Sequence, residues 1–282
     1  MNEQAKKDYE NVEISVIMGV YNQFSREQLL NAVNSILSQT YGNFEFIIYD
    51  DGSDAEVSGW ISDLARLDDR IVVIGSNVNN GLAFSLNRCI EYSHGRYLAR
   101  MDADDEALPE RFKIEHDFLE SHPEIDWCGC NAVLFDDQGE WEHTTRPEFP
   151  EQNDFLRFSP YIHPTVMYRA SLFKGDGEAG ARYAEIREAL RCEDYEIFSR
   201  LYYMGFKGCN IQQELFRYRV DIYTYHKRTF RLCIDEAKIR YRSFKRMGCL
   251  LPAGWLFCMR PIVSWFLPKG LVKWIKKMTS PL

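Results

Sequence analysis

The sequence predicts an α/β protein with a Rossmann-like, mostly parallel central sheet, helices on both faces of that sheet, and a C-terminal helical extension. Apolar runs of strand length alternate three times with amphipathic helical segments, which is the pattern of an open parallel sheet. The runs are continuously apolar rather than alternating, as expected for strands that are buried on both faces. Beyond residue 220 the sequence becomes basic and rich in tryptophan.

The first hundred residues supply the alternating half of this fold. Strands are predicted at 14–20, 44–50, 71–75 and 96–101, and helices at 25–39, 55–67 and 81–93. Ser25 and Gln28 have the spacing of a capping box, which indicates where the first helix begins. The apolar residues of that helix form one stripe, as in a helix that packs on a sheet.

The pattern changes after residue 105. Pro109 suits the first turn of a helix, so a helix is predicted over 109–122. Further elements are a strand over 125–135, a turn over 136–140, a strand over 163–169, a helix over 192–205 and a last segment over 209–220. Gly205 stands where glycine commonly closes a helix. We therefore expect a main domain over 1–220 and an extension over 221–282.

Composition and charge narrow the class of protein. The 282 residues are 45% hydrophobic and 27% charged, which is ordinary for a globular chain. The eight cysteines form no metal-binding spacing and no apolar leader precedes them, so we expect core thiols in a reducing compartment. Residues 221–282 hold 13 Lys/Arg and 3 Asp/Glu, which gives them a net charge of +10. The remaining residues carry a net charge of −18, so the whole chain has −8. An acidic body with a basic tail suggests that the tail faces something anionic.

Polar and acidic residues follow the predicted strands. "DDGSD" (50–54) and "DADD" (102–105) both stand at carboxyl ends of strands, where open α/β sheets bind ligands. Carboxylates are ligands that Mg²⁺ and Mn²⁺ prefer, and a cation would offset their repulsion. Taken alone, "DADD" is equally typical of a solvated helix start. We interpret Asp105 and Glu106 as residues that lead into the helix begun by Pro109.

Other ligand motifs are excluded. An EF-hand loop beginning at Asp102 would need glycine and glutamate where Ala107 and Lys113 stand. The sequence contains no P-loop motif, and no G-x-G-x-x-G follows the first strand. Two acidic strand ends without these motifs suggest a nucleoside pocket beside a metal–diphosphate clamp, which suits a nucleotide-activated substrate.

The ordered motifs resemble those of the inverting GT-A glycosyltransferases of family 2, the bacterial group that builds surface polysaccharides. The resemblance is carried over about residues 12–220 by "SVIMGVYN", "SILSQTYGNFEFIIYDDGSD", "NNGLAFSLNRCI", "GRYLARMDADD" and "CEDYEIFSRLYYMGFK", and ends at "FRYR". It implies a GT-A fold and sugar transfer from a nucleotide-diphosphate sugar, with a UDP-sugar favoured. It also implies a saccharide acceptor, lipid-linked, in O-antigen, capsule or lipooligosaccharide synthesis.

The resemblance implies a role for each matched residue. Asp194 of the E-D motif is the expected catalytic base. Asp102 and Asp104 are the expected ligands of Mn²⁺ or Mg²⁺. The expected contacts to the donor nucleotide are Tyr21, Asp50, Asp51 and Asp102. Four further candidates are Arg100, His163, Glu193 and His226.

Each assignment has a structural alternative. Tyr21 could be a packing residue, and Asp194 could cap the helix that follows. Arg100 could steer phosphate or form an ion pair on the strand. His163 could line the acceptor side or be a structural histidine. Asp221 stands where many relatives carry a histidine, so His226 is the nearby substitute for a diphosphate contact.

The basic extension suggests where the protein acts. Its tryptophans and lysines suit a membrane interface, whereas the prolines within 250–278 argue against a spanning helix. We expect a cytoplasmic protein on the inner face of the plasma membrane; packing on the body or dimerisation remains the alternative for the tail. No nucleic-acid partner is expected, and the sequence leaves the oligomeric state open. Two other classes are a nucleotidyltransferase, disfavoured because "MGVYNQFSREQ" lacks a glycine- and arginine-rich loop, and a non-catalytic sugar-nucleotide binder or scaffold.

Overall fold

The computed structural model describes residues 11–23, 25–173, 181–220, 229–252 and 254–267. Their strands are β1 (Ile14–Val20), β2 (Phe44–Asp51), β3 (Ile71–Ser76), β4 (Tyr97–Arg100), β5 (Glu106–Ala107), β6 (Trp127–Asp136), β7 (Gly139–His143), β8 (Met167–Arg169) and β9 (Gly208–Arg219). Their α-helices are α1 (Arg26–Leu37), α2 (Ala55–Leu64), α3 (Leu82–Tyr92), α4 (Arg111–Ser121), α5 (Gln152–Arg157), α6 (Glu193–Tyr203), α7 (Phe230–Arg246) and α8 (Gly254–Phe266).

Within this part of the chain the strands form one nine-stranded sheet. Its order is β3-β2-β1-β4-β8-β6-β9-β5, with β7 paired to β6. The pairs β3–β2, β2–β1 and β1–β4 are parallel, and so is β6–β9. The short strands β8 and β5 are antiparallel to their neighbours. The prediction of a mostly parallel sheet is confirmed.

Helices cover both faces of the sheet, as the continuous apolar runs predicted. On one face, Val16 and Met18 of β1 pack with the buried residues of α1, α2 and α4. On the other face, Ile17 of β1 packs with α3, α6 and α7. Neighbouring residues of one strand thus enter opposite cores, which is why the strand is apolar at every position. Seven of the eight cysteines are buried, and all eight are free thiols.

Several element boundaries differ from those predicted. Helix α4 begins at Arg111, so Pro109 lies in the turn before it rather than in its first turn. The segment predicted as one strand over 163–169 is a 3₁₀ turn at His163–Thr165 followed by three residues of β8. Strands β5 and β7 and helix α5 were not predicted; β5 and α5 are too short for a periodic signal. The prediction that Gly205 closes a helix is confirmed, because Gly205 follows the C-terminal end of α6 and has a φ of 91°.

The extension packs against the main domain through α7. Ser243 Oγ and Ser199 Oγ of α6 are 2.8 Å apart, and the Arg240 guanidinium lies 4.7 Å above the Tyr195 ring. Ile239 and Phe244 belong to the same buried cluster as α6. Helix α8 packs on α5 and α7, and its buried residues are Gly254, Cys258 and Pro261. Among the described residues, no helix combines the length and apolarity needed to cross a bilayer.

Candidate active site

The parallel pairing brings the loops after β1, β2 and β4 to one edge of the sheet. Asn22, in the loop after β1, links it to the loop after β2: its backbone N–H donates to Ser53 Oγ (3.1 Å), and its Oδ1 accepts from Asp54 N (2.8 Å). Gln23 Nε2 donates to the Ala103 carbonyl in the loop after β4 (3.2 Å). Sequence reasoning assigned no role to Asn22 and Gln23, although their polarity at a strand end was a signal.

The "DDGSD" turn is shaped by Gly52. Its φ is 73°, and a Cβ there would lie 2.6 Å from the Val78 carbonyl carbon, so glycine is required. Asp50 Oδ1 accepts a hydrogen bond from Ser53 N (2.9 Å). The turn therefore holds both acids in defined positions beside the neighbouring loop over 76–81.

Asp51 is buried and organises the start of α3. Its Oδ1 accepts from Asn80 N (2.9 Å) and its Oδ2 from Gly81 N (2.7 Å). Burial raises the pKa of this carboxyl, and the two backbone N–H groups oppose that rise. Because each carboxylate oxygen has a second lone pair, a contact to a nucleotide base stays compatible with this geometry. Tyr21 is 53% exposed at the end of β1, so it is not a core packing residue.

The "DADD" loop gathers three carboxylates. One oxygen from each of Asp102, Asp104 and Asp105 lies within 4.8 Å of the others. Asp105 is fully buried, and its Oδ1 accepts from Arg219 N (2.7 Å). The interpretation of Asp105 and Glu106 as a helix start is wrong. Glu106 lies in β5, paired with β9, and the helix begins five residues later because Asp105 and Glu106 bind the last strand.

Arg100 lies beneath this acidic loop. It is 2% exposed, and its Nη1 is 2.5 Å from Asp102 Oδ2. The contact is a close ion pair whose geometry is not that of a hydrogen bond. Within the described part of the chain, neither Nε nor Nη1 of Arg100 has a hydrogen-bond partner. Of the two alternatives for Arg100, the ion pair is therefore the one observed.

Burial and mutual repulsion shift the titration of the loop. The pKa of Asp104 is raised to about 6 by burial and by the neighbouring Asp102, while Arg100 opposes the rise. The pKa of Asp105 is raised well above its usual range, again by burial and then by Asp104 and Asp102. Such strongly perturbed acids, gathered at the end of a strand, mark a candidate functional site.

The E-D motif faces the same arginine. Helix α6 begins at Glu193 and its N-cap is Cys192, so Asp194 is not the cap. Burial raises the pKa of Asp194, while hydrogen bonds from Tyr195 N and the Ser159 side chain, together with the charge of Arg100, oppose the rise. The pKa of Glu193 is raised to about 7 by burial and by Asp194. Arg100 lowers the pKa of Asp104 and of Asp194, so the charge of one guanidinium acts on both sets of acids.

The remaining candidates have different positions. His163 is buried, and its Nε2 lies 2.8 Å from Tyr183 Oη. Burial and then Arg100 lower its pKa well below the usual range, so the imidazole is neutral, as for a structural histidine. Tyr183 is held in turn by Asn87, which bonds both its N–H and its carbonyl. His226 lies outside the described residues.

The donor set of the loop fits a divalent cation. All three groups offer the hard carboxylate oxygens that Mg²⁺ and Mn²⁺ take. Asp105 Oδ2 is buried, and no described residue donates a hydrogen bond to it. Three clustered acids with an unsatisfied oxygen are better stabilised with a cation than without one.

The mostly parallel sheet with helices on both faces and the acidic strand ends agree with the GT-A fold that the motifs implied. The family model described as Glycosyl transferase family 2 matches residues 15–177, more than half of the chain. The chain belongs to this family.

Relatives that match most of this chain are also named as glycosyltransferases. EpsE of Bacillus subtilis, named as a candidate glycosyltransferase, is 33% identical over 260 residues, which are 92% of this chain and 91% of EpsE. The amylovoran biosynthesis glycosyltransferase AmsE of Erwinia amylovora is 28% identical over 223 residues, 76% of this chain and 79% of AmsE. The resemblance drawn from the motifs is thereby confirmed.

Solved structures share the fold. S. aureus TarS 1–349 in complex with UDP-GlcNAc matches with a TM-score of 0.66 at 17% identity, over 94% of this chain and 79% of that one. The mannosyltransferase PcManGT from Pyrobaculum calidifontis, in complex with GDP-Man and Mn²⁺, matches with a TM-score of 0.62 at 14% identity, over 94% and 79%. At these identities the match shows the architecture alone.

Proposed function

We propose that this glycosyltransferase is metal-dependent and inverting, and moves a sugar from a nucleotide-diphosphate sugar to a saccharide hydroxyl in surface-polysaccharide synthesis. The observation that carries the proposal is the cluster of three carboxylates at the end of β4, where Arg100 pairs with Asp102 and its charge acts on Asp194 as well as on Asp104. Transfer requires the metal–diphosphate clamp and the general base to act on one bound substrate. A single guanidinium that acts on Asp104 and on Asp194 supports a shared site for the two. The relative AmsE, which is named for amylovoran biosynthesis, supports a role in surface-polysaccharide synthesis.

The donor is expected at the edge formed by the loops after β1, β2 and β4. Tyr21 is exposed for stacking or contact, and Asp50 and Asp51 are held at the end of β2 for the base or ribose. Asp102 faces the diphosphate and, with Asp104, holds Mn²⁺ or Mg²⁺. A UDP-sugar is favoured, and the UDP-GlcNAc complex of TarS is consistent with that choice.

Transfer then follows from the residues of the site. The cation supplies positive charge for the departing nucleoside diphosphate when bound. Asp194, with its pKa raised by burial, accepts the proton of the attacking sugar hydroxyl as general base. A single in-line displacement inverts the anomeric carbon, so no protein nucleophile is required. Arg100 keeps Asp102 oriented before the cation binds.

The acceptor is proposed to be lipid-linked at the inner face of the plasma membrane. One face of α8 exposes large apolar side chains that are 41% to 68% exposed: Trp255, Leu256, Met259, Val263 and Phe266. The exposed side of α7 carries cations at Arg231, Lys238, Arg242, Lys245 and Arg246. An exposed apolar face on one helix, with clustered cations on the helix against which it packs, suits an anionic membrane surface. The neighbouring residues 268–282 lie outside the described part of the chain.

A donor screen tests this function. UDP- and GDP-sugars are offered with Mn²⁺, with and without saccharide or lipid-linked acceptors, and release of nucleoside diphosphate is measured. We expect release from at least one donor, stimulated by acceptor and abolished by EDTA, with the product anomer inverted by NMR. Binding of a nucleotide sugar without release or transfer under any condition would favour the non-catalytic binder instead.

A further inference from the structure

We propose that Asp105, beyond the two acids of the D-x-D pattern, is a third carboxylate of the cation site, with its Oδ2 binding the ion or a water molecule on the ion. The inference rests on the proposed function, because it assigns a residue to the same metal site. It starts from a side chain that sequence reasoning excluded from that site.

The first observation is position. One oxygen of Asp105 lies within 4.8 Å of an oxygen of both Asp102 and Asp104. The other two acids are partly exposed, whereas Asp105 is fully buried beneath them. Asp105 therefore forms the floor of the cluster rather than its rim.

The second observation is that only one oxygen of this carboxylate is satisfied. Oδ1 accepts a 2.7 Å hydrogen bond from Arg219 N, whereas the buried Oδ2 has no hydrogen-bond partner among the described residues. A buried acceptor without a donor costs about 1–3 kcal/mol, and more when it is charged. Proteins rarely retain such a group unless a ligand completes it.

The third observation is that the Arg219 contact also orients the acid. Arg219 Nε donates to the Asp104 carbonyl (3.3 Å), and its Nη1 binds Asp137 (2.7 Å). The end of β9 thus holds the backbone of the metal loop and one oxygen of Asp105 at the same time. The free oxygen is left with a fixed direction, which is the arrangement that tunes metal ligands.

The test separates a metal role from a structural one. Asp105→Asn keeps an acceptor for Arg219 N but replaces the anionic Oδ2 with an amide nitrogen. Mn²⁺ alone is titrated, with the free ion followed by electron paramagnetic resonance, and the melting temperature is recorded without metal. We expect Mn²⁺ affinity to fall by about 10- to 100-fold, the range for residues that support a metal site. The metal-free melting temperature should change little, because the amide has the shape of the carboxyl and keeps the acceptor for Arg219 N.

The matched control is Asp137→Asn, which removes an exposed acid that Arg219 also binds. We expect its Mn²⁺ affinity to change less than about twofold. Unchanged Mn²⁺ affinity in Asp105→Asn would overturn the inference and leave Asp105 as a structural partner of Arg219. Asp104→Asn distinguishes a failure of the Asp105 inference from a failure of the metal site on which it rests. If this variant also binds Mn²⁺ normally, the proposed metal site itself is wrong.

A structure of the unmodified protein with Mn²⁺ gives a second measurement if Asp105→Asn does not fold. The inference predicts an Asp105 oxygen in contact with the ion or with a water molecule on it. A bound ion on Asp102 and Asp104, with Asp105 contacting only Arg219, would contradict it.

Discussion

Arg100 and Asp102 form an ion pair across the end of β4, with 2.5 Å between Nη1 and Oδ2, although Arg100 is almost wholly buried. The pair joins the strand to the acidic loop. It also places one positive charge among Asp104, Asp105 and Asp194, whose carboxyl pKa values that charge lowers. In the absence of a cation, Arg100 is thus a counter-charge that these acids share.

Replacing Arg100 tests this compensation. In Arg100→Met the acids lose a counter-charge, so we expect the metal-free free energy of unfolding to fall by about 3 kcal/mol. Mn²⁺ should stabilise the variant more than the unmodified protein, because it restores positive charge. Urea unfolding with and without Mn²⁺ measures both. The exposed pair of Arg66 and Asp63 provides the control Arg66→Met, expected to cost below about 1 kcal/mol; equal effects of the two substitutions would contradict this role.

Asp194 should be the residue whose loss affects chemistry without affecting binding. Asp194→Asn removes the general base, so transfer is expected to fall by about 10²- to 10⁴-fold. Nucleoside diphosphate and Mn²⁺ affinities should remain within about twofold, since the proposed mechanism gives Asp194 a role toward the acceptor hydroxyl and not toward either of these ligands. Initial rates and binding titrations check the split. Glu193→Gln is the comparison: a larger loss there than in Asp194→Asn would assign the base to Glu193.

Mn²⁺ binding should depend on pH. Because the pKa of Asp104 is raised to about 6, its carboxyl is mostly protonated at pH 5 and must lose a proton to bind the ion. We expect Mn²⁺ affinity about tenfold weaker at pH 5 than above pH 7 from this group, and Asp105 adds in the same direction. Calorimetry in two buffers of different ionisation enthalpy detects the released proton. Equal affinities at both pH values would contradict the raised pKa.

The raised pKa of Asp104 also determines how the metal-free stability depends on pH. An acid whose pKa is higher in the folded than in the unfolded chain holds its proton more tightly when folded. The contribution of Asp104 to metal-free stability is therefore full below about pH 4 and is lost as pH rises through about 6. Saturating Mn²⁺ should remove this loss, which thermal unfolding across pH can measure.

A second buried ion pair supports the acidic loop from α4. Arg111 Nε and Glu115 lie 3.1 Å apart, both are fully buried, and Arg111 Nη2 donates to the Arg100 carbonyl (3.1 Å). Arg111→Met leaves the Glu115 carboxylate without its partner and should cost about 3–5 kcal/mol. The double variant Arg111→Met with Glu115→Leu should recover part of that loss. Urea unfolding checks this, and an additive double variant would contradict the coupling.

The exposed face of α8 should govern membrane binding. Leu256→Glu with Val263→Glu places two charges on that face, where each apolar side chain contributes about 1.5–3 kcal/mol when buried. We expect sedimentation with anionic vesicles to be lost while the melting temperature is retained. Leu67→Glu, at an equally exposed site beyond α2, is the control. Unchanged vesicle binding in the double variant would leave the face for an oligomer contact.

The regular half of the fold was predictable because its signals are local. The apolar runs at 14–20 and 44–50 and the polar residues that follow them set β1, β2 and the edge where their loops meet. Ser25 does cap α1, since its side chain accepts from Gln28 N. The pairing of β5 with β9 was not predictable, because it joins residues more than a hundred positions apart and carries no periodic signal.

The sequence by itself determined the alternating strands and helices of the first hundred residues, the acidic strand ends and the family, because hydrophobic periodicity and motif spacing are properties of short segments. Only the tertiary structure decided which acids are buried and what each one contacts. Asp105 was misassigned to a helix start because its partner, Arg219, is 114 residues away. Arg100 could not be assigned to Asp102 from spacing alone, since a strand residue can face either side. Burial and pairing depend on contacts distant in sequence, and those contacts set the charge state of the site.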